Sequence, residues 1–336
     1  MKVREALKEV LAGRELSAAA MEGAMGEILA GEAPASVLGA FAVALRMRGE
    51  TTEEVAAAAR VMRRESRAVS LAEGTVLDTC GTGGDGLGTF NISTVSAIVV
   101  AACGVRVAKH GNRAVSSRAG SADVLEALGL PLEITDDKLR RCIEDVGIGF
   151  LFAPAHHQAL RHAASVRREL GVRTFFNLLG PLANPAAATH QLIGVYDPAR
   201  VTQTAEVLGE LGAEAAWVVH GEGGLDEVAP RGSTKVARLR DGKVDTFALS
   251  PADFGHDEVA LEALVGGDAT ENAAIARAIL RGEKGPRRIA VLVNAGAALC
   301  VAGVVEGPKD GAARAAKAID EGAADAILDR WIQAAS

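Results

Sequence analysis

The sequence predicts an α/β protein: a small, all-helical N-terminal domain, then a large domain with a mostly parallel central sheet flanked by helices. Three observations predict it. Residues 3 to about 65 carry helical periodicity and no strand pattern. From about Thr75 short apolar runs alternate with amphipathic stretches, the rhythm of βα units. The first unit turns through Gly81, Gly83, Gly84, Gly86 and Gly88, as a ligand loop beyond the carboxyl end of a parallel strand would.

The helical part divides at its own punctuation. Residues 3–12 are amphipathic. Leu16 and Ser17 open a second helix over 18–30, stopped by Gly31, and Pro34 opens a third that runs to Arg48 before Gly49. Thr51 with Glu54 forms a cap before the fourth, 55–64. Beyond Thr75, strands are expected at 76–77, 105–108, 149–152, 191–195 and 215–220. Helices are expected at 93–102, 122–128, 136–146 and 200–211. Asp241-Gly242 between 234–239 and 244–249 marks a hairpin. Residues 173–185, rich in Gly, Pro and Asn, read as a rigid return between lobes. The chain ends in helical runs at 270–280, 287–301 and 311–333. The expected domains are 1–70, joined by returning segments at about 160–185, and 71–159 with 186–336.

Composition excludes several classes. At 336 residues and 49% apolar content the chain can bury a large core. Only 3% of residues are aromatic, too few for stacking platforms. The net charge of −7, without a basic stripe, argues against nucleic-acid and membrane partners. Cys80, Cys103, Cys142 and Cys300 lie far apart in or beside apolar runs, without zinc spacing, and read as reduced residues of a cytoplasmic protein. The N-terminus lacks an apolar signal core, and no apolar run is long enough to span a bilayer.

Four clusters carry chemistry. The glycine loop leads into Asn91-Ile92-Ser93-Thr94 and an apolar helix, so free backbone N–H groups and a helix start face one turn, which suits phosphate. It is not a P-loop, since no lysine follows the glycines. It matches a dinucleotide fingerprint only in its glycines: it carries Asp85, and the next strand ends in Lys109 instead of an acid. Asn91, Ser93 and Thr94 are equally ordinary capping types. The second cluster, residues 109–123, gathers Lys109, His110, Asn112, Arg113, Arg118 and serines, donors enough to grip several anionic oxygens. The third places His157 ahead of Arg167 and Arg168. One helix carrying both His157 and Arg167 would set them about a quarter turn apart, and an arginine in a cleft suits a planar carboxylate. His156 and His162 read as surface groups. The fourth, Asp226-Glu227 on a glycine-bearing loop, suits Mg²⁺ alongside phosphate oxygens. Together they imply a cleft for a phosphorylated, Mg²⁺-complexed small molecule and a second, acceptor-rich ligand such as a carboxylate. No nucleophile is signalled, so binding and charge stabilisation would carry the reaction.

In combination these clusters resemble the anthranilate phosphoribosyltransferases. The likeness rests on Gly-Thr-Gly-Gly-Asp at 81–85, Asn-Ile-Ser-Thr at 91–94, Lys-His-Gly-Asn-Arg at 109–113 with Ser116 and Ser117, Val-Arg-Arg-Glu-Leu-Gly at 166–171, Phe-Asn-Leu-Leu-Gly-Pro-Leu at 176–182, and Asp226-Glu227. Residues 44–50 resemble the family's N-terminal domain, and Gln158, where proline is usual, is one departure.

The resemblance implies a nucleoside phosphorylase/phosphoribosyltransferase-like fold and a homodimer through the helical domain. The implied reaction is transfer of phosphoribosyl from phosphoribosyl pyrophosphate (PRPP) to the amine of anthranilate, the second step of tryptophan synthesis from chorismate. PRPP would lie along Gly81, Gly84, Asp85, Thr89, Asn91, Ile92, Ser93, Thr94, Lys109, His110, Gly111, Asn112, Arg113, Ala114, Val115, Ser116, Ser117 and Ser121. Ser93, Asp226 and Glu227 would serve Mg²⁺. Anthranilate would meet Gly81, Asn112, His157 and Arg167. Lys109, His110 and Arg167 are the implied catalytic set. Two relatives of the same fold are the alternatives: a pyrimidine-nucleoside phosphorylase, with less use for Asp226 and Glu227, and a nucleic-acid-binding protein, against the acidic balance.

Overall fold

The structure, a computed structural model, describes residues 1–114 and 118–336. Four helices come first: α1 (Val3–Leu11), α2 (Ala18–Leu29), α3 (Ala35–Arg48) and α4 (Thr52–Arg64). Their starts follow the sequence signals. The Ser17 hydroxyl accepts from Ala20 N, and Thr51 and Glu54 form a reciprocal capping box at α4.

Seven strands form one sheet in the order β3-β2-β1-β4-β5-β6-β7. They are β1 (Val76–Gly81), β2 (Arg106–Gly111), β3 (Ile148–Phe152), β4 (His190–Gly194), β5 (Ala215–Gly221), β6 (Thr234–Arg240) and β7 (Lys243–Leu249). The first five are mutually parallel; β6 and β7 add an antiparallel hairpin that turns at Asp241 and Gly242, both at positive φ. Helices α5 (Ile92–Ala102), α6 (Ser121–Ala127), α7 (Asp136–Arg141), α8 (Ala153–His156), α9 (Arg161–Leu170), α10 (Phe176–Leu182) and α11 (Arg200–Glu210) connect or return between strands. Helices α12 (Ala269–Leu280), α13 (Pro286–Val301), α14 (Pro308–Asp320) and α15 (Ala323–Ala335) close the chain.

Both faces of the parallel strands are buried, and the pleat assigns them. Trp217 and Val219 of β5 join a core with α5, α13, α14 and α15. Ala216 and Val218 join the opposite core, which continues into α1–α4, α10 and α11. Ala163 and Val166 of α9 lie in that second core with Leu38 and Phe41 of α3.

Residues 173–185 are regular only in part: 176–182 form α10 around an internal Pro181. Two local expectations are corrected. The 311–333 run is two helices, divided at Gly322. His157 and Arg167 do not share a helix: α8 ends at His156, His157 has φ −117°, and a 3₁₀ turn, Gln158–Leu160, precedes α9.

Candidate active site

Order β3-β2-β1-β4-β5 makes the sheet reverse direction at β1, and ligands bind beyond the carboxyl ends of strands at such a reversal. The predicted loops converge there. The glycine loop leaves β1, the Lys109 loop leaves β2, His157 follows β3, and Asp226 and Glu227 follow β5.

The β5 loop lies directly on the glycine loop. Gly83 N donates to Asp226 Oδ2 at 2.7 Å, and Ser93 N, in the first turn of α5, donates to Glu227 Oε1 at 3.1 Å. This closeness requires glycine beneath it. A Cβ at Gly194 would sit 1.6 Å from the Asp226 carbonyl oxygen, and one at Gly81 2.7 Å from Asp226 Oδ2. The loop's far side is anchored by Asn294 of α13, which exchanges hydrogen bonds with both the N–H and the carbonyl of Val228 at 2.9 Å. Burial, then the neighbouring Asp85 carboxylate, pushes Asp226 up to about 7. Burial, then Asp226, pushes Glu227 up to about 8 against the pull of Lys109.

Lys109 is 2% exposed. Its ammonium donates to Thr79 O at 2.5 Å and Ser93 Oγ at 3.2 Å, so it meets the site through Ser93 instead of projecting into it as a free donor. Burial pushes Lys109 down and Asp78 up, each opposed by the other's charge. His110 is buried against His157, ring centroids 5.1 Å apart and edge to face. His110 Nδ1 lies 3.0 Å from Gly180 O; that carbonyl can only accept, so Nδ1 carries the proton and Nε2 offers a lone pair. Both Nε2 atoms, of His110 and His157, are buried without a partner among the described residues. Burial is the first cause that lowers His110 to about 3 and His157 to about 4.

Arg167 lies over the Phe176 ring, 5.5 Å to its centroid, at the start of the helix that carries Gly180. Burial lowers it, with no opposing charge among the described residues. A half-buried guanidinium without a carboxylate is a ready acceptor site for one.

Other predicted residues are otherwise engaged. The Arg113 guanidinium pairs with Asp123 and Glu126 of α6 at 2.9 Å, because two acids face it across the turn. Ala114 N donates to Asp123 Oδ2. The Asn91 amide is spent on Ala119 O and on Asn272 of α12, and it forms no side-chain cap. The Ile92 side chain is in the core, leaving only backbone for a ligand. Asn112 Oδ1 accepts from Arg113 N, and Asn112 O accepts from Ser121 Oγ. Asp85 Oδ1 accepts from Leu87 N, and Thr89 bridges to Val265. Gly84 O accepts from Arg173, and Gly111 ends β2 against Phe150. Thr94 Oγ1 is buried and unpartnered among the described residues. Val115, Ser116 and Ser117 lie outside the described residues. His156 is no surface group: it is buried, and its Nδ1 lies 2.8 Å from Arg67 O. His162 is exposed, as expected.

Sequence reasoning missed three contributors. Arg173 binds Gly84 O and lies 3.6 Å above the Tyr196 ring, with nothing in its local sequence to announce it. Asp78 and Asn184 are wholly buried behind Lys109 and His110. Asp78 did leave a signal, an acid inside an apolar strand. Among the described residues no group of three or more His, Cys, Asp or Glu side chains could by itself hold a metal ion, and no helix is long and apolar enough to cross a membrane.

Comparison with known proteins fits this geometry. Residues 4–66 match the glycosyl transferase family helical bundle domain, and residues 73–325 match that family's a/b domain. An anthranilate phosphoribosyltransferase of Myxococcus xanthus is 55% identical over 334 residues, covering 99% of each chain. One from Desulfatibacillum aliphaticivorans is 51% identical, covering 98% of this chain and 97% of its own. Among solved structures, that of Thermus thermophilus anthranilate phosphoribosyltransferase superposes with a TM-score of 0.94 at 46% identity, over 98% and 99% of the two chains. The Saccharomyces cerevisiae enzyme in complex with PRPP and Mg gives 0.90 at 29% identity, over 99% and 97%.

Proposed function

The chain belongs to the anthranilate phosphoribosyltransferase family, and from that premise we infer that it transfers the phosphoribosyl group of PRPP to the amine of anthranilate, a step of tryptophan biosynthesis. One observation carries the reading onto this site. Asp226 and Glu227 accept hydrogen bonds from Gly83 N and Ser93 N, so two carboxylates stand within one bond of the backbone that would cradle phosphate.

Asp226 and Glu227, raised by burial and by their acidic neighbours, suit a divalent cation, and with Ser93 they would hold Mg²⁺. When bound it supplies positive charge to the pyrophosphate oxygens. The chain's own residues do the rest. Backbone N–H groups of the glycine loop and the start of α5 orient the leaving group, and Lys109 holds Ser93 in place. Arg167 takes the anthranilate carboxylate as a planar fork. Neutral His110 offers Nε2 to an N–H of the amine. The amine lone pair forms the C–N bond as the C1–O bond breaks, pyrophosphate leaves with the C1–O electron pair, and the new C–N nitrogen then gives its extra proton to water. With its pKa near 3, His110 serves orientation above proton removal.

The same reading divides the chain at 1–70 with 160–185 against 71–159 with 186–336, which the shared core of α9 and α3 supports. It pairs two chains through the helical domain, supported by Leu11 at 70% and Met47 at 83% exposure there. A cytoplasmic location is supported by four free cysteines. The test mixes the purified chain with anthranilate, PRPP and Mg²⁺ and follows anthranilate fluorescence. Loss should require all three, and chelation should stop it. Turnover of thymidine with phosphate, without metal, would overturn the reading.

A further inference from the structure

The β1–β2 ladder is incomplete where the site begins. Its register pairs Val76 with Arg106 and Leu77 with Val107, then stops, whereas β1–β4 and β2–β3 each continue to the ends of their strands. Continuing that register would set Thr79 opposite Lys109, with Ala108 O and His110 N turned to β1 as ladder partners. Each of these groups is met by a side chain instead. His110 N donates to Asp78 Oδ1 at 3.0 Å. Ala108 O accepts from Asn184 Nδ2 at 2.8 Å. Thr79 O accepts from Lys109 Nζ. Asn184 Nδ2 also donates to Asp78 Oδ2 at 2.8 Å, and its Oδ1 accepts from Ala186 N at 2.8 Å.

Neither Asp78 nor Asn184 is exposed enough to touch a substrate. Both bear on the two residues, Lys109 and His110, that do face the site's other groups. A buried carboxylate and amide in place of main-chain partners cost desolvation that an unbroken ladder would avoid. What they provide is a gap between two strand ends, with Lys109 and His110 fixed on one side of it.

We propose that Asp78 and Asn184 are positioning residues for the transfer reaction, a side-chain tether that replaces the β1–β2 ladder and sets Lys109 and His110 at the mouth of the site. The tether rests on the reaction proposed above. It acts through placement, so its loss weakens the transition state more than the binding of either substrate.

The test uses the full chain in two variants, Asp78→Asn and Asn184→Ala, assayed well below their melting temperatures and scaled to the folded fraction by PRPP-binding stoichiometry. Asp78→Asn keeps the shape and an acceptor for His110 N but removes the charge. Asn184→Ala removes both bonds of the bridge, and it decides the matter alone should Asp78→Asn not fold. Each variant should lower kcat about tenfold or more with both KM values within about twofold. Adding Lys109→Met to Asn184→Ala should cost less than the two single losses multiplied, because the tether works in part through that side chain. Unchanged kcat per folded molecule, or losses that multiply in the double variant, would overturn the tether. The unsubstituted chain run alongside separates the two ideas: no turnover there refutes the reaction, whereas turnover there with unaffected variants refutes the tether.

Discussion

At Gly194 a single methyl group decides whether the site can form. A Cβ there would overlap the backbone carbonyl oxygen of Asp226, which has no flexible side chain to swing aside, and the loop could only move away. Gly194→Ala is expected to lower Mg²⁺-supported turnover about a hundredfold; an unchanged Mg²⁺ titration would count against the loop's role. Arg167→Ala should raise the KM for anthranilate roughly tenfold to a hundredfold, the scale of one charge-assisted hydrogen bond, and leave that for PRPP nearly unchanged. Steady-state kinetics with each substrate varied in turn would reveal the opposite pattern.

His110 gives a pH signature. Its folded value near 3 lies below the ordinary imidazole value, so the unfolded chain binds the extra proton first. Its contribution to stability is intact above about 6.5 and is lost as pH falls from there toward 3, at up to about 1.4 kcal/mol per pH unit. Urea denaturation of the unsubstituted chain and of His110→Gln between pH 7 and 5 should converge as pH falls; parallel curves would contradict a buried neutral ring. Asp226 and Glu227 were legible as a candidate pair because adjacent acids on a glycine-bearing loop announce themselves locally, whereas Ser93 joined them only through the family resemblance. The engagement of Arg113 by Asp123 and Glu126 was not, because a basic loop looks the same whether its cation faces a ligand or the next helix.

Glu54 shows what one side chain does for an element. It is wholly buried, yet it accepts from Leu16 N at 2.8 Å and Thr51 N at 2.9 Å and pairs with Arg48. It therefore caps α4, fixes the chain entering α2 and holds the end of α3. Glu54→Ala should destabilise the helical domain by roughly 3–5 kcal/mol, since the Arg48 charge loses its partner and two N–H groups lose theirs. Urea denaturation followed by far-ultraviolet circular dichroism measures this, and an unmoved midpoint would sink the account. The capping box itself was readable from Thr51 and Glu54. The break between α8 and α9 was not, because His157 and Gln158 carry no helix-stopping chemistry of their own.

For the whole molecule, exposed Leu11 and Met47 lead to the expectation of a particle of twice 34.5 kDa in sedimentation, with the helical domain buried in the pairing. A species of 34.5 kDa at micromolar concentration would contradict it. The sequence by itself determined the two-part architecture, the βα rhythm, the caps and the loops that bear chemistry, because periodicity and turn chemistry act over a few residues. Only the tertiary structure decided which groups meet. The strand order brings the β5 carboxylates onto the β1 loop, the broken β1–β2 ladder calls for Asp78 and Asn184, and burial leaves His110 neutral. Those outcomes depend on partners up to 143 positions apart in the chain, as Gly83 and Asp226 are, and a buried polar group is specified by what surrounds it in space.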